Sequence, residues 1–332
     1  MGAMHPKPIS SDVQASALPL VVVCTPVYNG ARYIAETMEA VQAQTYPNLL
    51  HVISENASTD QTGEILARYG SGRVPVLVSR SDETIPQMAN WNRAVGLAPP
   101  DAKWIRLLCA DDLMEPTAIA EMVELGESDP DVVLVGCERF RNGAVDDFFW
   151  PRGEAVFEGA EASRRYFEYR GTIMGPHVLV RRDVLQADGA VFDESIVCAD
   201  NDMCLRVLRH GKFGFVHRPL ATTREHMATV TTDKLMGWKV HFLEWLIYLD
   251  RYGPAIYGQQ AFQALRRSYL NYYRRKMLWW RLLDRRPDVF DMHRQRLVAM
   301  GVKTGAAEFG EALVDWAAKK LSLRQGWVGY PF

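Results

Sequence analysis

The chain has 332 residues, of which 48% are hydrophobic and 23% charged, with a net charge of −2 at pH 7. This is enough chain for one large domain or one domain with an appendage, in the composition of an ordinary soluble globular protein. A near-neutral balance excludes a dedicated nucleic-acid binder, which needs a basic excess to meet phosphates.

The stretch LPLVVVCTPVYN opens the ordered part, and its β-branched run Val21 to Val23 reads as a strand buried on both faces. Residues 1–17 ahead of it are expected to be disordered. Asn29 fits the N-cap of a helix running from Ala31 to about Gln44. LLHVIS predicts a second strand, and NASTDQTGEILARYG a loop and a capped helix that Gly70 stops. VPVLVS predicts a third strand, QMANWNRAVGLA a helix, and KWIRLLCA a fourth strand ending at Asp111 and Asp112. TAIAEMVEL is the next helix and DVVLVGCERF the next strand. Beyond residue 151 the pattern loosens: VLVRRDVL and FGFVHRPL read as strands, with the helix NDMCLRVLRHG between them. From about 235 the chain turns helical and rich in aromatics and arginine.

Strands alternating with helices at this spacing imply an α/β fold, a mostly parallel sheet with helices on both faces. Strands that are apolar throughout agree with a fully covered sheet. Ligands of such sheets sit at the carboxyl ends of the strands. Asp111 and Asp112, Thr25 to Asn29 and Glu55 to Asp60 all stand at such ends.

Five scattered cysteines, at 24, 109, 137, 198 and 204, form no CxxC pair, so the sequence offers no structural zinc site and fits a reducing compartment. The opening MGAMHPKPISSDVQ lacks the apolar core of a secretory signal, and the most apolar later stretch, LEWLIYL, is too short to span a bilayer. The expected location is the cytoplasm.

No GxGxxG follows the first strand, where the turn is TPVYNG, and no GxxxxGK[ST] occurs anywhere. A dinucleotide-binding dehydrogenase and a P-loop NTPase are thereby set aside. What the chain has instead is a pair of acids. Two adjacent carboxylates raise each other's pKa, a cost that a bound Mg²⁺ or Mn²⁺ reverses. Such ions take one or two carboxylates plus substrate phosphates. On this reading Asp112 ligates the metal and Asp111 assists or orients a ribose. On the plainer reading one of the two caps the helix near Pro116. Spacing alone leaves both open.

In order along the chain, four segments carry a resemblance. They are VVVCTPVYNGARYIAETMEAVQAQTYPN, ISENASTDQT, NWNRAVGLAPPDAKWIRLLCADDLMEP and VFDESIVCADNDMCLRVLRHGKFGFVHRPLATTREH. They resemble, respectively, the opening strand, Y-N turn and Q-T-Y-P-N end, the D-D-G-S-T-D-x-T loop, the segment ending in a D-x-D-type metal motif, and the F-D-E, E-D-x-D-L-x-L-R and R-x-H elements of the inverting family 2 glycosyltransferases. The resemblance covers roughly residues 18 to 232 and implies the GT-A fold. It implies a catalytic domain over 18–234, with a donor half at about 18–115 and an acceptor half at about 116–234, and leaves 235–332 as a helical C-terminal extension.

Transferred position by position, the resemblance implies that Pro26, Tyr28 and Asn29 line the base pocket. Glu55 falls where the family has an aspartate that hydrogen-bonds the base; here the longer side chain leaves the base open. Asp60 holds the loop or caps the following helix. Asn92 is implied to face the donor. Asp111 and Asp112 fall on the metal motif, although Cys109 replaces an earlier acid of many relatives. Asp200 aligns with the general base, and Asp202 ranks second. His226 is implied as a further ligand of Mn²⁺ or Mg²⁺. Arg224 meets a phosphate or a nearby acid, and His177 sits where the acceptor passes. By spacing alone Asp200 is equally an N-cap.

The implied function is metal-dependent, inverting transfer of a sugar from a nucleotide-diphospho-sugar to a glycan or lipid-linked acceptor, in surface polysaccharide or glycoconjugate synthesis. The alternatives are a nucleotidyltransferase of similar fold, whose Gly-rich basic loop is missing, and a non-catalytic sugar-nucleotide or glycan binder. In LRRSYLNYYRRKMLWWRLLDRR, Arg267, Arg274 and Arg281 recur every seven residues, with Tyr269, Tyr272, Lys276, Trp279 and Trp280 between them. Such a helix either rests on anionic lipid at the inner face of a membrane or packs its aromatics inward and solvates its arginines. Sugar, linkage and oligomeric state are not legible.

Overall fold

The structure, a computed structural model, describes residues 18–141, 143–146, 148–168, 177–187, 189–224 and 236–321. Residues 1–17, expected to be disordered, and His226 lie outside them. In chain order the elements are β1 (Val21–Val27), α1 (Ile34–Gln42), β2 (Leu49–Glu55), α2 (Thr62–Leu66), β3 (Val76–Arg80), α3 (Gln87–Gly96), β4 (Trp104–Leu107), β5 (Leu113–Met114), α4 (Ala118–Glu127), β6 (Val132–Arg141), β7 (Ala144–Asp146), β8 (Val156–Phe157), α5 (Gly159–Phe167), β9 (Leu179–Arg181), α6 (Arg182–Leu185), α7 (Ala199–Val207), β10 (Lys212–Thr223), α8 (His241–Tyr257), α9 (Gln259–Leu282), α10 (Pro287–Ala299) and α11 (Ala306–Lys320).

They form two compact units that are discontinuous in sequence. The first comprises Met1–Phe157, Met174–Phe192 and His210–Arg224; the second comprises Glu158–Ile173, Asp193–Arg209 and Glu225–Phe332. The units thus interleave within the stretch that the sequence reading gives to an acceptor half, because α5 and α7 pack on α8.

The first unit is built on one sheet of order β3-β2-β1-β4-β9-β6-β10-β5, with β7 beside β6 and β8 beside β10. Pairing is parallel across β3, β2, β1 and β4 and again between β6 and β10. Between them β9 runs antiparallel to both β4 and β6. Successive side chains of β1 face opposite ways, and all seven of its residues are buried. Val21 and Val23 join Val41 of α1 and Met122 of α4 in one cluster. Asn90 of α3 meets Ser54 on the opposite face, bonding its hydroxyl at 2.6 Å. Helices therefore cover both faces, as a near-continuous apolar strand requires.

Two expected strands are shorter in the structure. VLVRRDVL is a strand only over β9: the Arg182 N–H closes the pairing on the Lys103 carbonyl at 2.9 Å, and α6 follows. The strand expected to end at the aspartates stops at Leu107. Leu108 still donates to the Cys24 carbonyl at 2.9 Å, and a turn closed by Asp112 N–H on the Cys109 carbonyl carries the two acids.

The second unit is helical, with an aromatic core. Trp245 and Tyr269 have ring centroids 4.0 Å apart, and the Tyr269 hydroxyl donates to the Phe242 carbonyl at 2.6 Å. Tyr269, Tyr272 and Trp280 are buried, and Arg274 is buried with its guanidinium donating to the Lys303 carbonyl at 2.9 Å. Half of the residues read from the sequence as basic and aromatic on this helix thus pack inward, while Arg267, Trp279 and Arg281 are exposed. His293 is buried there too, bonded to the Tyr273 hydroxyl and, at 2.8 Å, to the Trp238 carbonyl.

Burial pushes His293 down to about 4, against the Trp238 carbonyl, and pushes His51 in the sheet down to about 3. Both are neutral in the folded chain below the ordinary histidine value of 6.5. As pH falls from 6.5 the unfolded chain takes up protons that the folded chain refuses, so stability falls until about pH 4 for His293 and about pH 3 for His51. We expect the imidazole resonances of His51 and His293, together with that of the buried His177, not to titrate between pH 8 and pH 5 by NMR. Stability should fall on the acidic side of that range by at most about 2 kcal/mol per histidine, read as a lower melting temperature.

Candidate active site

The carboxyl end of β1 runs into a loop whose backbone is tied to the β2–α2 loop. Pro26 lies past Cys24, the last β1 residue paired with β4, where a missing N–H is tolerated. Tyr28 follows, 51% exposed. Asn29 N–H donates to the Ser58 hydroxyl at 2.9 Å, Gly30 N–H to the Thr62 hydroxyl at 2.9 Å, and Ala31 N–H to the Asp60 carboxylate at 3.0 Å. In return Thr59 N–H donates to the Asn29 amide oxygen at 2.9 Å. Asn29 does not cap α1, whose N-cap is Tyr33. Its φ of +48° is one that Asn tolerates better than most residues. A Cβ on Gly30 would come within 2.5 Å of a Val27 methyl, so that position takes only glycine. Asp60 holds the loop, accepting from both the Thr62 N–H at 3.0 Å and the Thr62 hydroxyl at 2.5 Å.

Glu55, expected at the base, is buried and already engaged. One oxygen accepts the Ser58 N–H at 2.6 Å and the other pairs with Arg80 at 3.0 Å. Its extra methylene, relative to aspartate, lets it reach back to its own loop. Asn56 clamps Ile85 through both backbone groups at 2.9 Å. Asn92, expected to face the donor, holds Phe192 in the same way, with bonds of 2.9 and 2.8 Å to its carbonyl and N–H.

The acids sit next to this loop pair. A sulfur of Cys109 and carboxylate oxygens of Asp111 and Asp112 lie within 4.8 Å of one another. Neither acid caps the next helix, whose N-cap is Thr117. Asp112 is 5% exposed. Its carbonyl and that of Ala110 accept from the buried Thr37 hydroxyl of α1 at 3.0 and 2.9 Å. Its carboxylate accepts the Arg224 N–H at 3.2 Å.

That last bond depends on β10. Two register shifts against β6, around Pro219, carry β10 onward to pair antiparallel with β5, the two residues directly after Asp112. Burial first, and the neighbouring Asp111 second, push the Asp112 carboxyl up to about 7, against the pull of Arg224, Arg139 and Arg106.

His177 stands behind Asp112, its Nε2 4.0 Å from the carboxylate and 2.6 Å from the Thr223 hydroxyl. Burial, then Arg106 and Arg139, hold its imidazole well below the usual range, so it is neutral. Its Nδ1 is buried without a hydrogen-bond partner among the described residues. Arg224 turns its guanidinium to Glu36 and over the Tyr33 ring, which is the acid-pairing alternative; its Nη1 is buried without a partner among the described residues. Thr37, Thr223 and Arg106, which donates to the His177 carbonyl at 2.7 Å, were not legible as site residues. No motif marks a residue that acts through its neighbours.

In the second unit Asp200 is half-buried in the first turn of α7. The N-cap is Cys198, so Asp200 is not the capping residue. The segment before it is clamped by Glu244 of α8, whose two oxygens accept the Val197 N–H at 2.5 Å and the Cys198 N–H at 3.1 Å. Tyr248 donates to the Cys198 carbonyl at 2.8 Å. Burial, then Asp200 and Glu244, push the Cys198 thiol up and keep it protonated. Asp202 is buried and committed to Arg251 at 3.0 Å and the Tyr252 hydroxyl at 2.8 Å, which removes it as a contact for acceptor or phosphate.

A covered, mostly parallel sheet with a helical C-terminal region and acids at its carboxyl edge defines the class of GT-A glycosyltransferase folds. S. aureus TarS in complex with UDP has this fold, with a TM-score of 0.58 and 16% identity over 86% of this chain and 75% of that one. A mannosyltransferase from Pyrobaculum calidifontis, in complex with GDP-Man and Mn²⁺, has a TM-score of 0.56 and 16% identity over 97% and 85%. An uncharacterised glycosyltransferase of Rickettsia typhi is 24% identical over 253 residues, 70% of this chain and 72% of its own length. Residues 22–189 match Glycosyl transferase family 2, and the chain belongs to that family.

Ala57 stands where the resembled loop has glycine and takes φ +56°, which a side chain makes unfavourable. Ala57→Gly is expected to stabilise the protein by about 1 kcal/mol, read as a higher denaturation midpoint at unchanged slope.

Proposed function

We propose that the protein is a metal-dependent, inverting glycosyltransferase that uses a nucleotide-diphospho-sugar, in the synthesis of a surface polysaccharide or glycoconjugate, acting in the cytoplasm. The observation that carries the metal is the donor set itself. Two carboxylates and a thiol converge at the sheet edge, and one of the carboxylates is buried at a cost that a bound cation would relieve. Oxygen ligands of this kind fit Mn²⁺ or Mg²⁺, and Cys109 adds a softer donor that favours Mn²⁺ of the two. Asp112 would be the principal ligand, with Asp111 and Cys109 beside it and His226 a further candidate. When bound, the ion would neutralise the departing diphosphate.

The chain's own residues would do the rest. Pro26, Tyr28 and Asn29 line the base pocket, and Glu55 supports it at one remove by fixing the Ser58 amide. Asn92 shapes the donor side through Phe192. The unpartnered Nη1 of Arg224 offers a donor to a phosphate oxygen. His177, neutral and buried behind Asp112, would act on the acceptor side only through its neighbours. Asp200 takes the proton of the acceptor hydroxyl as that oxygen attacks the anomeric carbon. A single displacement inverts the anomeric configuration. The nucleotides named with the two solved structures support a nucleotide-sugar donor, and the acceptor is a glycan or a lipid-linked glycan. Membership of family 2 removes the support for a nucleotidyltransferase.

Asp112→Ala is expected to abolish the Mn²⁺-dependent thermal shift given by a nucleotide-sugar that stabilises the wild type. A variant shifted as far as the wild type would exclude Asp112 as ligand. Asp200→Asn is expected to lower transfer by about 10²–10⁴-fold with donor binding kept, the usual size of a general-base contribution. Undiminished turnover would take Asp200 out of that role.

A further inference from the structure

We infer that the tip of the second unit where α9 meets α10 is a docking surface for an anionic bilayer. Three large apolar side chains stand out of the last turn of α9: Trp279 is 54% exposed, Leu282 66% and Leu283 62%. They occupy i, i+3 and i+4, so they form one patch on one side of the helix. Lys276 lies one turn before them, within 5.6 Å of the Tyr272 ring, and Arg281, Arg285 and Arg286 surround them.

The patch is held in place from within. Arg281 lies over the buried Phe290 at 4.8 Å, and two backbone bonds close the turn, Leu283 N–H on the Trp279 carbonyl at 2.9 Å and Arg286 N–H on the Trp280 carbonyl at 2.8 Å. The leucines are therefore presented to solvent by a helix end that these contacts fix.

Charge is segregated in the same place. Between Gln259 and Val302 the chain carries ten Lys and Arg against three Asp, and α9 itself has six basic residues and no acidic one, in a chain of net charge −2. Of the three acids, Asp284 accepts the Trp279 indole N–H at 2.9 Å and Asp288 pairs with Arg286 at 2.8 Å. A tryptophan and two leucines ringed by cations fit the boundary between headgroups and acyl chains. There the indole and methyl groups leave water while lysine and arginine stems keep their charges among lipid phosphates. No helix of the described residues is long and apolar enough to cross a membrane, so the contact is one of a surface.

The lipid-facing stripe is not the one that heptad spacing marks out. Arg274 and the aromatics Tyr269, Tyr272 and Trp280 are buried, and the exposed patch is displaced to the end of the helix. A second copy of the chain is the competing occupant of such a patch.

The full chain, mixed with vesicles of equimolar phosphatidylcholine and phosphatidylglycerol at low salt, should sediment with them. It should be released by salt and should not bind vesicles of phosphatidylcholine alone. Leu282→Gln with Leu283→Gln should weaken binding by about tenfold or more with the melting temperature unchanged, and Arg285→Gln should weaken it several-fold and flatten its salt dependence. Failure of the wild type to bind at low salt, or equal binding by the leucine variant, overturns the proposal. A dimer seen by light scattering that the leucine substitutions convert to monomer overturns it in favour of self-association.

Discussion

One buried carboxylate organises the carboxyl edge of the sheet. Asp112 has been taken out of water beside a second acid, and no lysine or arginine side chain bonds to it among the described residues. What holds it are two strands and a hydroxyl. The β5 residues that follow it pair with β10, the β10 backbone returns an amide to its carboxylate, and Thr37 of α1 grips its carbonyl. Such an arrangement keeps the acid in place without neutralising it. A salt bridge would have stabilised the empty protein and competed with any cation.

The surrounding groups obey the same constraint. Arg106 is wholly buried on β4, yet it spends its donors on the His177 carbonyl and on the sulfurs of Met114 and Met122. Its charge is felt at Asp112 through space and not by contact. The donor loop is built in the same spirit. Five hydrogen bonds between the two loops tie Asn29, Gly30 and Ala31 to Ser58, Thr59, Asp60 and Thr62, which leaves Tyr28 exposed on a firm base. Preorganised polar groups of this kind lose little on ligand binding, because little remains to be ordered.

The alternation of strands and helices was legible because buried parallel strands are apolar on both faces and their helices are amphipathic. The antiparallel β9 was not: three residues inserted between β4 and β6 have no pattern distinct from that of a parallel strand. The strand end at Leu107 was misread because Leu108 stays buried after pairing changes, so hydropathy runs on past the ladder. Motif reading found the acids and the loops that carry them. It does not show that Glu55 turns to Ser58 and Arg80, Asn92 to Phe192, and Asp202 to Arg251 and Tyr252. Spacing reports which residue stands at a position but not which neighbour it will satisfy. The positive φ of Asn29 shows the same limit, since a left-handed residue before a helix and an N-cap call for the same side chain.

The Glu244 clamp changes how the C-terminal helices should be regarded. Their sequence has the look of an appendage, yet α8 supplies both oxygens that meet the Val197 and Cys198 amides, and with Arg251 and Tyr252 it also neutralises the buried Asp202. A shortened chain ending where the motifs end, near residue 235, would strand two amides and a carboxylate around the helix that bears Asp200. Trimming to the recognisable enzyme would thus dismantle the part of it that motif searches regard as complete, and any portable version must keep α8.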